Sequence, residues 1–280
     1  MKQCPYCGKE YPDDAINCLI DNHPLRSSVP DTSDEETGLK PATDNATYLR
    51  YPDYKWTARD AWKCIGIILI LEIVIGLVLY DLATQPGIRR WNATGVGFFC
   101  TRLLYYSLFL LAAAYFARTE TLASFLTAFG LNRKPSDYVW LGIVMALTIR
   151  GIGHFMLVNH FGKGMYQYDV SSFRHSSDPL RFFFLIPMLL LAPIFEETVN
   201  RGFLYKAFRG SYPMWASLLL TVVWTAVRHG SQYLHWVAAM DLSFLTLVQC
   251  YLREKSESIW DCIFCHLTYN GSLLFLGSFR

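Results

Sequence analysis

Long apolar stretches separated by short polar links dominate the sequence from residue 56 to the end. Each stretch is close to the ~20 residues that a helix needs to cross the hydrocarbon core of a bilayer. The pattern predicts seven spans, at about 62–81, 95–117, 138–158, 182–208, 213–229, 233–252 and 257–278. A very short link, 230–232, joins the fifth and sixth, which makes one of them a candidate re-entrant segment. The sequence therefore predicts an all-α fold, a polytopic transmembrane helical bundle over residues 56–280.

The first 25 residues differ from the rest in being polar and rich in cysteine. Cys4-Pro-Tyr-Cys7-Gly8 is a two-thiolate knuckle, and Cys18 follows after ten residues. Asp21 stands where the fourth ligand of a zinc ribbon belongs, and His23 is the other candidate; carboxylate and imidazole both ligate zinc. We predict that Cys4, Cys7, Cys18 and Asp21 hold a structural Zn²⁺ in a zinc-ribbon-like module at 1–25. The alternatives are a ribbon that no longer binds metal or a redox Cys-x-x-Cys pair.

The segment that follows the ribbon, 26–55, is rich in Ser, Thr, Asp, Glu and Pro. It has few apolar residues with which to build a core, so we predict a disordered acidic linker. The predicted organisation is thus a ribbon at 1–25, a linker at 26–55 and a membrane domain at 56–280.

The overall composition supports a membrane protein. The chain has 280 residues, of which 52% are hydrophobic and 17% are charged, whereas a soluble domain carries about a quarter charged residues. A net charge of +2 is too small to favour nucleic acid as a partner.

Lysine and arginine are more frequent at the flanks that lie inside when the N-terminus is inside. This bias predicts a cytosolic N-terminus. It agrees with a zinc ribbon, whose thiolates need a reducing compartment. We therefore predict an integral membrane protein with its N-terminus in the cytosol.

Ionisable residues also occur within the predicted spans, where charge is costly and usually has a function or a partner. They are Glu72, Arg102, Arg150, His154 and Asp241. We interpret Glu72 and Asp241 as partners of buried arginines rather than as catalytic groups.

The most informative charges are Glu196 and Glu197, which follow the almost unbroken apolar run Phe182–Phe195. On a helix Arg201 lies one turn from Glu197, where it can hold that carboxylate in a charge-assisted pair. Glu196 points about 100° away and is then available as a general base. Taken alone, the stretch is equally typical of a helix that ends at the membrane surface with paired charges.

Polar residues in two later spans favour catalysis. His229 follows an apolar run, and His266 and Asn270 share one face of the last span at i,i+4. Histidines on two separate helices, with a carboxylate pair and an asparagine, form a set that can orient a water and stabilise an oxyanion.

The sequence resembles the CPBP family of intramembrane proteases, which includes the CAAX prenyl endopeptidases and bacterial Abi proteins. The resemblance covers about 138–280 and rests on Glu196-Glu197-x-x-x-Arg201, on His229 and on His266-x-x-x-Asn270. It implies a helical bundle with an active site inside the bilayer. By this likeness Glu196 would activate water, with Glu197 and Arg201 as its support. His229, His266 and Asn270 would position the water or bind the oxyanion.

Two positions depart from the family pattern. Thr225 stands where the second motif has phenylalanine, and Arg228 stands where the residue before the histidine is apolar. We expect both to alter the wall of the active-site cavity, and so the substrate preference, without removing the catalytic groups. Zinc at the active site is an alternative, but no His-Glu-x-x-His helix exists to support it, so a metal-independent glutamate mechanism is favoured.

We therefore expect an endopeptidase that hydrolyses a peptide bond of a membrane-associated protein or peptide. The competing hypothesis is a non-catalytic immunity or scaffold protein that recruits a cytosolic protein partner through the ribbon. A transporter is a weaker alternative, since no inverted repeat is visible. The ribbon is of a bacterial type, which predicts the bacterial inner (cytoplasmic) membrane and leaves the substrate open between a processed peptide and a membrane-protein tail.

Overall fold

A computed structural model describes residues 2–3, 10–16, 25–27, 56–83, 94–161, 179–230, 235–256 and 258–276. Three two-residue strands near the N-terminus are β1 (Lys2–Gln3), β2 (Glu10–Tyr11) and β3 (Arg26–Ser27). They form an antiparallel sheet in the order β2-β1-β3, with Lys2 opposite both Tyr11 and Ser27.

The proposed zinc ligands, Cys4, Cys7, Cys18, Asp21 and His23, all lie outside the described residues, as does most of the predicted linker. The ribbon is therefore not confirmed, and its zinc stays a prediction. The division into ribbon, linker and membrane domain also stays a prediction.

Eight helical segments make up the described part beyond residue 56. They are α1 (Ala58–Ala83), α2 (Gly95–Phe116), α3 (Leu122–Phe129), α4 (Tyr138–Phe161), α5 (Phe182–Arg209), α6 (Met214–Arg228), α7 (Trp236–Ser256) and α8 (Ile259–Leu276). The predicted α-helical architecture of this part is confirmed.

Four of the seven predicted spans are helices long and apolar enough to cross a membrane: Ala58–Val78, Gly95–Phe116, Tyr138–Met156 and Phe182–Arg209. The other three positions are also helical, but they do not meet that standard. Helix α6 has only 15 residues. Helices α7 and α8 carry more polar side chains, among them Asp241, Arg253 and Asp261. The described helices thus support an integral membrane protein, while seven crossings are not confirmed.

Helix α5 lies at the centre of the bundle, in contact with α1, α2, α3, α6, α7 and α8. On one side its residues join a core with α1 and α2 that includes Trp56, Ile68, Phe109 and Phe203. A second core, which includes Ile149, Leu252 and Ile263, fills the space between α4, α7 and α8. Burying apolar side chains on several faces of α5 fixes the position of the polar residues that it carries.

The short helix α3 is docked against α5 and α7 by a buried aromatic side chain and two cations. Its last residue, Phe129, is fully buried and packs beside Phe203 and Trp56. Lys206 donates to the carbonyl of Ala128, and Arg253 donates to that of Phe129. Cations at the C-terminus of a helix satisfy its free carbonyls and complement its dipole.

Two of the charged residues within the spans have the arginine partners that the sequence analysis expected. Glu72 on α1 forms an ion pair with Arg228 at the end of α6. Asp241 on α7 lies 3.8 Å from Arg150 on α4 and accepts a hydrogen bond from Tyr269. Each pair joins different helices, which gives the charges a structural role.

Candidate active site

The helix that carries the glutamate pair is not a regular α-helix. An α-helical segment, Ala192–Glu197, lies between two π-helical segments, Pro187–Leu191 and Thr198–Leu204. In each π segment a backbone N–H donates to the carbonyl five residues earlier. Such wide turns are costly and occur frequently at functional sites. Glu196 and Glu197 thus lie near the middle of α5 in a locally distorted part of the helix.

The first π segment explains the position of Asn270. Ala192 N–H donates to Pro187 O, and Pro193 has no N–H. The carbonyl of Met188 therefore lacks both its α-helical and its π-helical backbone donor. The side-chain amide of Asn270 donates to that carbonyl at 2.9 Å. This contact ties α8 to α5 next to the glutamate pair, and one of the two amide N–H groups of Asn270 remains for another acceptor.

Glu197 is the buried centre of a polar cluster. Its side chain is 0% exposed, and its Oε1 accepts from Arg201 at 3.1 Å and from Gln249 at 3.0 Å. His266 Nδ1 lies 2.8 Å from the same oxygen. An ionised carboxylate only accepts hydrogen bonds, so the imidazole donates from Nδ1. The pairing of Arg201 with Glu197 that the helix spacing predicted is therefore observed, with His266 added to it.

Glu196 has different surroundings. It lines a small cavity with Tyr106, Phe195, Asn200, Trp224 and Arg228. Its Oε1 accepts a hydrogen bond from the Tyr106 hydroxyl at 3.2 Å. The side chains of His229, His266 and Arg228 also lie near Glu196. The two adjacent glutamates thus differ in their surroundings: Glu197 belongs to a closed cluster whose three donors all bind Oε1, while Glu196 lines a cavity.

His229 ends helix α6. Its ring Nδ1 lies 3.0 Å from the carbonyl of Thr225, which can only accept, so Nδ1 is the donor. His266 is held through Nδ1 in the same way by Glu197. A neutral imidazole with its proton on Nδ1 carries its lone pair on Nε2. In both histidines Nε2 is therefore an acceptor when the ring is neutral and a donor when it is protonated.

The two departures from the family pattern have structural partners. Thr225 Oγ1 donates to Thr221 O and accepts from Thr246 Oγ1, so its hydroxyl is satisfied within the bundle. The guanidinium of Arg228 pairs with Glu72 and lies 4.6 Å from the centre of the Phe109 ring. Arg228 is thus a charged wall of the cavity whose charge is balanced from the first helix.

Sequence reasoning missed several residues around the pair: Tyr106, Asn200, Trp224 and Gln249. Asn200 follows Glu196 by one helical turn, and its side-chain oxygen accepts from Trp224 at 2.9 Å. The i,i+4 spacing was a usable signal for Asn200. Nothing in the sequence links Tyr106 or Gln249 to the glutamates, because those contacts depend on how helices distant in sequence pack together.

Within the described ranges, no group of three or more His, Cys, Asp and Glu side chains is arranged to hold a metal ion. The metal-independent mechanism stays a prediction.

Comparison with known proteins places the candidate site in a family region. Residues 178–272 match the family model described as type II CAAX prenyl endopeptidase Rce1-like, so the matched region contains all six candidate residues. An uncharacterized 24.3 kDa protein of Escherichia coli is 27% identical over 130 residues. That alignment covers 46% of this chain and 58% of the bacterial protein. No solved structure matches the chain. The chain is thus similar to the CPBP family over residues 178–272, and its four apolar helices suggest an integral membrane protein.

Proposed function

We propose that the protein is an intramembrane endopeptidase that uses Glu196 to activate a water molecule. One observation carries the proposal: Glu196 lies near the middle of an apolar span, yet it lines a cavity. A carboxylate at such a position is costly unless it has a function. The match of 178–272 to a prenyl endopeptidase family supports peptide hydrolysis over other uses of a buried carboxylate.

In the proposed reaction Glu196 removes a proton from water while the oxygen attacks the carbonyl carbon of the scissile peptide bond. The product of this step is a tetrahedral intermediate with a negative oxygen. When the C–N bond breaks, the proton held by Glu196 passes to the leaving amine. The carboxylate is thereby regenerated, and the net reaction consumes one water molecule and one peptide bond.

His229, His266 and Asn270 are proposed to serve this step by hydrogen bonding. Nε2 of His229, in the neutral ring, orients the water by accepting its second O–H. The free N–H of Asn270 and the protonated Nε2 of His266 stabilise the oxyanion. Preorganised donors of this kind contribute about 10²–10³ each to the rate.

Glu197 and Arg201 are proposed to act as support. The carboxylate of Glu197 fixes the orientation of the His266 ring through Nδ1, while Arg201 and Gln249 hold that carboxylate in place. The support thus reaches the reaction through His266 rather than through a direct bond to Glu196.

The substrate is proposed to be a membrane-associated peptide or protein, cleaved near the membrane surface. The bias of Lys and Arg towards one set of flanks supports an N-terminus in the cytosol. The ribbon-like N-terminus supports a bacterial cytoplasmic membrane as the location. A processed peptide and a membrane-protein tail fit this setting equally well.

The N-terminal cysteines are proposed to bind one structural zinc, with Asp21 or His23 as the fourth ligand. Zinc would hold residues 1–25 in a fold that so short a stretch cannot maintain with an apolar core. The active site is proposed to work without a metal. The family match does not favour the alternative of a non-catalytic scaffold.

A proteomic comparison tests the proposed function. Cells that contain wild-type protein should show new C-termini in membrane proteins that are lost with Glu196→Ala. Purified protein in liposomes should cleave peptides that carry those sequences. Glu120→Ala is the matched control, because Glu120 is an exposed glutamate far along the chain from the site. Equal cleavage by wild type and Glu196→Ala would falsify the mechanism.

A further inference from the structure

Two adjacent tyrosines on helix α2 contact two different carboxylates. Tyr106 donates its hydroxyl to Oε1 of Glu196 at 3.2 Å, and Tyr105 donates to Oε1 of Glu72 at 2.8 Å. Helix α2 ends at Phe116, well before the family-matched region begins at residue 178. The environment of Glu196 therefore includes a donor that the family match does not cover.

The second of these contacts fixes the first. Glu72 on α1 binds both Tyr105 and Arg228, and the Arg228 guanidinium packs on Phe109 one turn further along α2. Helices α1, α2 and α6 are thus joined by the Glu72–Arg228 ion pair and by the contacts of these two residues with Tyr105 and Phe109. Because Tyr105 and Tyr106 are consecutive, holding Tyr105 also sets the rotation of α2 that points Tyr106 towards Glu196.

The Tyr106 ring is itself held in place. It lies 5.9 Å from the ring of Phe195, the residue before Glu196, and 5.5 Å from the ring of Tyr105. A hydrogen bond to a carboxylate is stronger than one between neutral groups, and more so where water is scarce. The phenol is therefore well placed to restrict the rotation of the Glu196 side chain.

We infer that Tyr106 is a positioning residue for the proposed base, an inference that rests on the proposed function. Its hydroxyl occupies Oε1 of Glu196 and so leaves Oε2 as the oxygen that takes the proton from water. Fixing one oxygen keeps the other aligned with the water in each turnover. This alignment lowers the barrier to proton removal. Substrate binding does not need this hydrogen bond.

Tyr106→Phe removes the hydroxyl and keeps the ring. We expect kcat to fall about tenfold while KM stays unchanged, because the base is then less well aligned with the water and substrate binding is unaffected. The matched control is Tyr115→Phe on the same helix, since Tyr115 is 77% exposed. The control should keep the kcat of the wild type.

A second measurement separates this inference from the proposed function. The infrared carboxyl band of Glu196, assigned by difference against Glu196→Gln, reports its hydrogen bonding whether or not the protein is active. We expect the band to shift in Tyr106→Phe and not in Tyr115→Phe. An unchanged band, or a shifted band with unchanged kcat in an active protein, overturns the positioning role. If the wild type has no peptidase activity but the band still shifts in Tyr106→Phe, the proposed function is rejected and the Tyr106–Glu196 contact is retained.

Discussion

His266 Nδ1 lies 2.8 Å from Oε1 of Glu197, so the histidine of the last helix is bonded to the second glutamate of the pair and not to the first. The same oxygen accepts from Arg201 and Gln249. Glu197 therefore links α5, α7 and α8 through Oε1, while its buried Oε2 has no hydrogen-bond partner among the described residues. Glu196, one residue earlier, accepts a hydrogen bond from the Tyr106 hydroxyl and lines the cavity. Adjacent residues of one type are thus suited to different tasks.

This division predicts that one glutamine substitution lowers stability and the other abolishes activity. Glu197→Gln removes the negative charge that pairs with Arg201 and contacts His266. Arg201 is only 3% exposed, so its positive charge would remain buried without that partner. Removing one partner of a buried ion pair costs about 3–5 kcal/mol. We expect Glu197→Gln to lower the midpoint of thermal unfolding in detergent sharply. Glu196→Gln should abolish peptide cleavage with little change in that midpoint, because Glu196 is only partly buried.

The two variants serve as controls for each other. Both replace a carboxylate by an amide of the same shape within one turn of α5. If Glu197→Gln unfolded at the wild-type temperature, the polar cluster would not be the structural support that its contacts indicate. If Glu196→Gln kept its activity, the assignment of the base would be wrong.

A second prediction concerns the contact between Gly153 on α4 and Asp241 on α7. A Cβ atom at Gly153 would lie 2.3 Å from both carboxylate oxygens of Asp241. Gly153→Ala should therefore push the carboxylate away from Arg150 and Tyr269, which now hold it. We expect a loss of about 2–3 kcal/mol of stability, from overpacking and a weakened buried pair.

Gly151 provides the matched control for that substitution. It lies on the same helix, and a Cβ atom there meets nothing within 4 Å. Gly151→Ala should leave stability unchanged or raise it by about 0.5–1 kcal/mol, because alanine favours the helix. The measurement is the unfolding midpoint of both variants in the same detergent, and equal midpoints would contradict the close packing of α4 on Asp241.

A third prediction concerns the ion pair between Glu72 and Arg228. Glu72→Arg brings two guanidinium groups together, and Arg228→Glu brings two carboxylates together. Each single reversal should destabilise the protein by about 1–2 kcal/mol, a discounted value because the Glu72 side chain is 26% exposed. The double reversal should recover most of the loss in unfolding midpoint. Additive losses in the double variant would show that the two charges do not interact.

The chemistry of the site was more predictable from the sequence than its geometry. The i,i+4 spacing of Glu197 and Arg201 holds along one helix, so their pairing could be derived from the sequence alone. The partners of Glu72 and Asp241 were predictable in kind, because charge within an apolar span needs an opposite charge. Which arginine each one binds depends on how helices pack, and periodicity carries no such information.

The number of spans was harder to predict for a related reason. Helices α7 and α8 face other helices with Asp241, Gln249 and His266, so their polar residues are satisfied inside the bundle. Hydropathy alone cannot distinguish such a buried helix from a surface one. The π segments of α5 were also not predictable, although Pro193 removes a backbone donor at the point where one of them ends.

The last prediction concerns the N-terminal cysteines and is tested on the full-length protein. Purified protein should contain about one zinc per chain by elemental analysis, because four ligands form one tetrahedral site. Cys4→Ser should lose that zinc. Cys100→Ser is the matched control, since Cys100 is an exposed cysteine within α2, and it should keep the metal.

If the active site needs no metal, a chelator that removes the zinc should leave peptide cleavage by the membrane domain intact. Loss of cleavage in the chelated wild type, with cleavage retained by Cys4→Ser, would instead indicate a second metal at the active site.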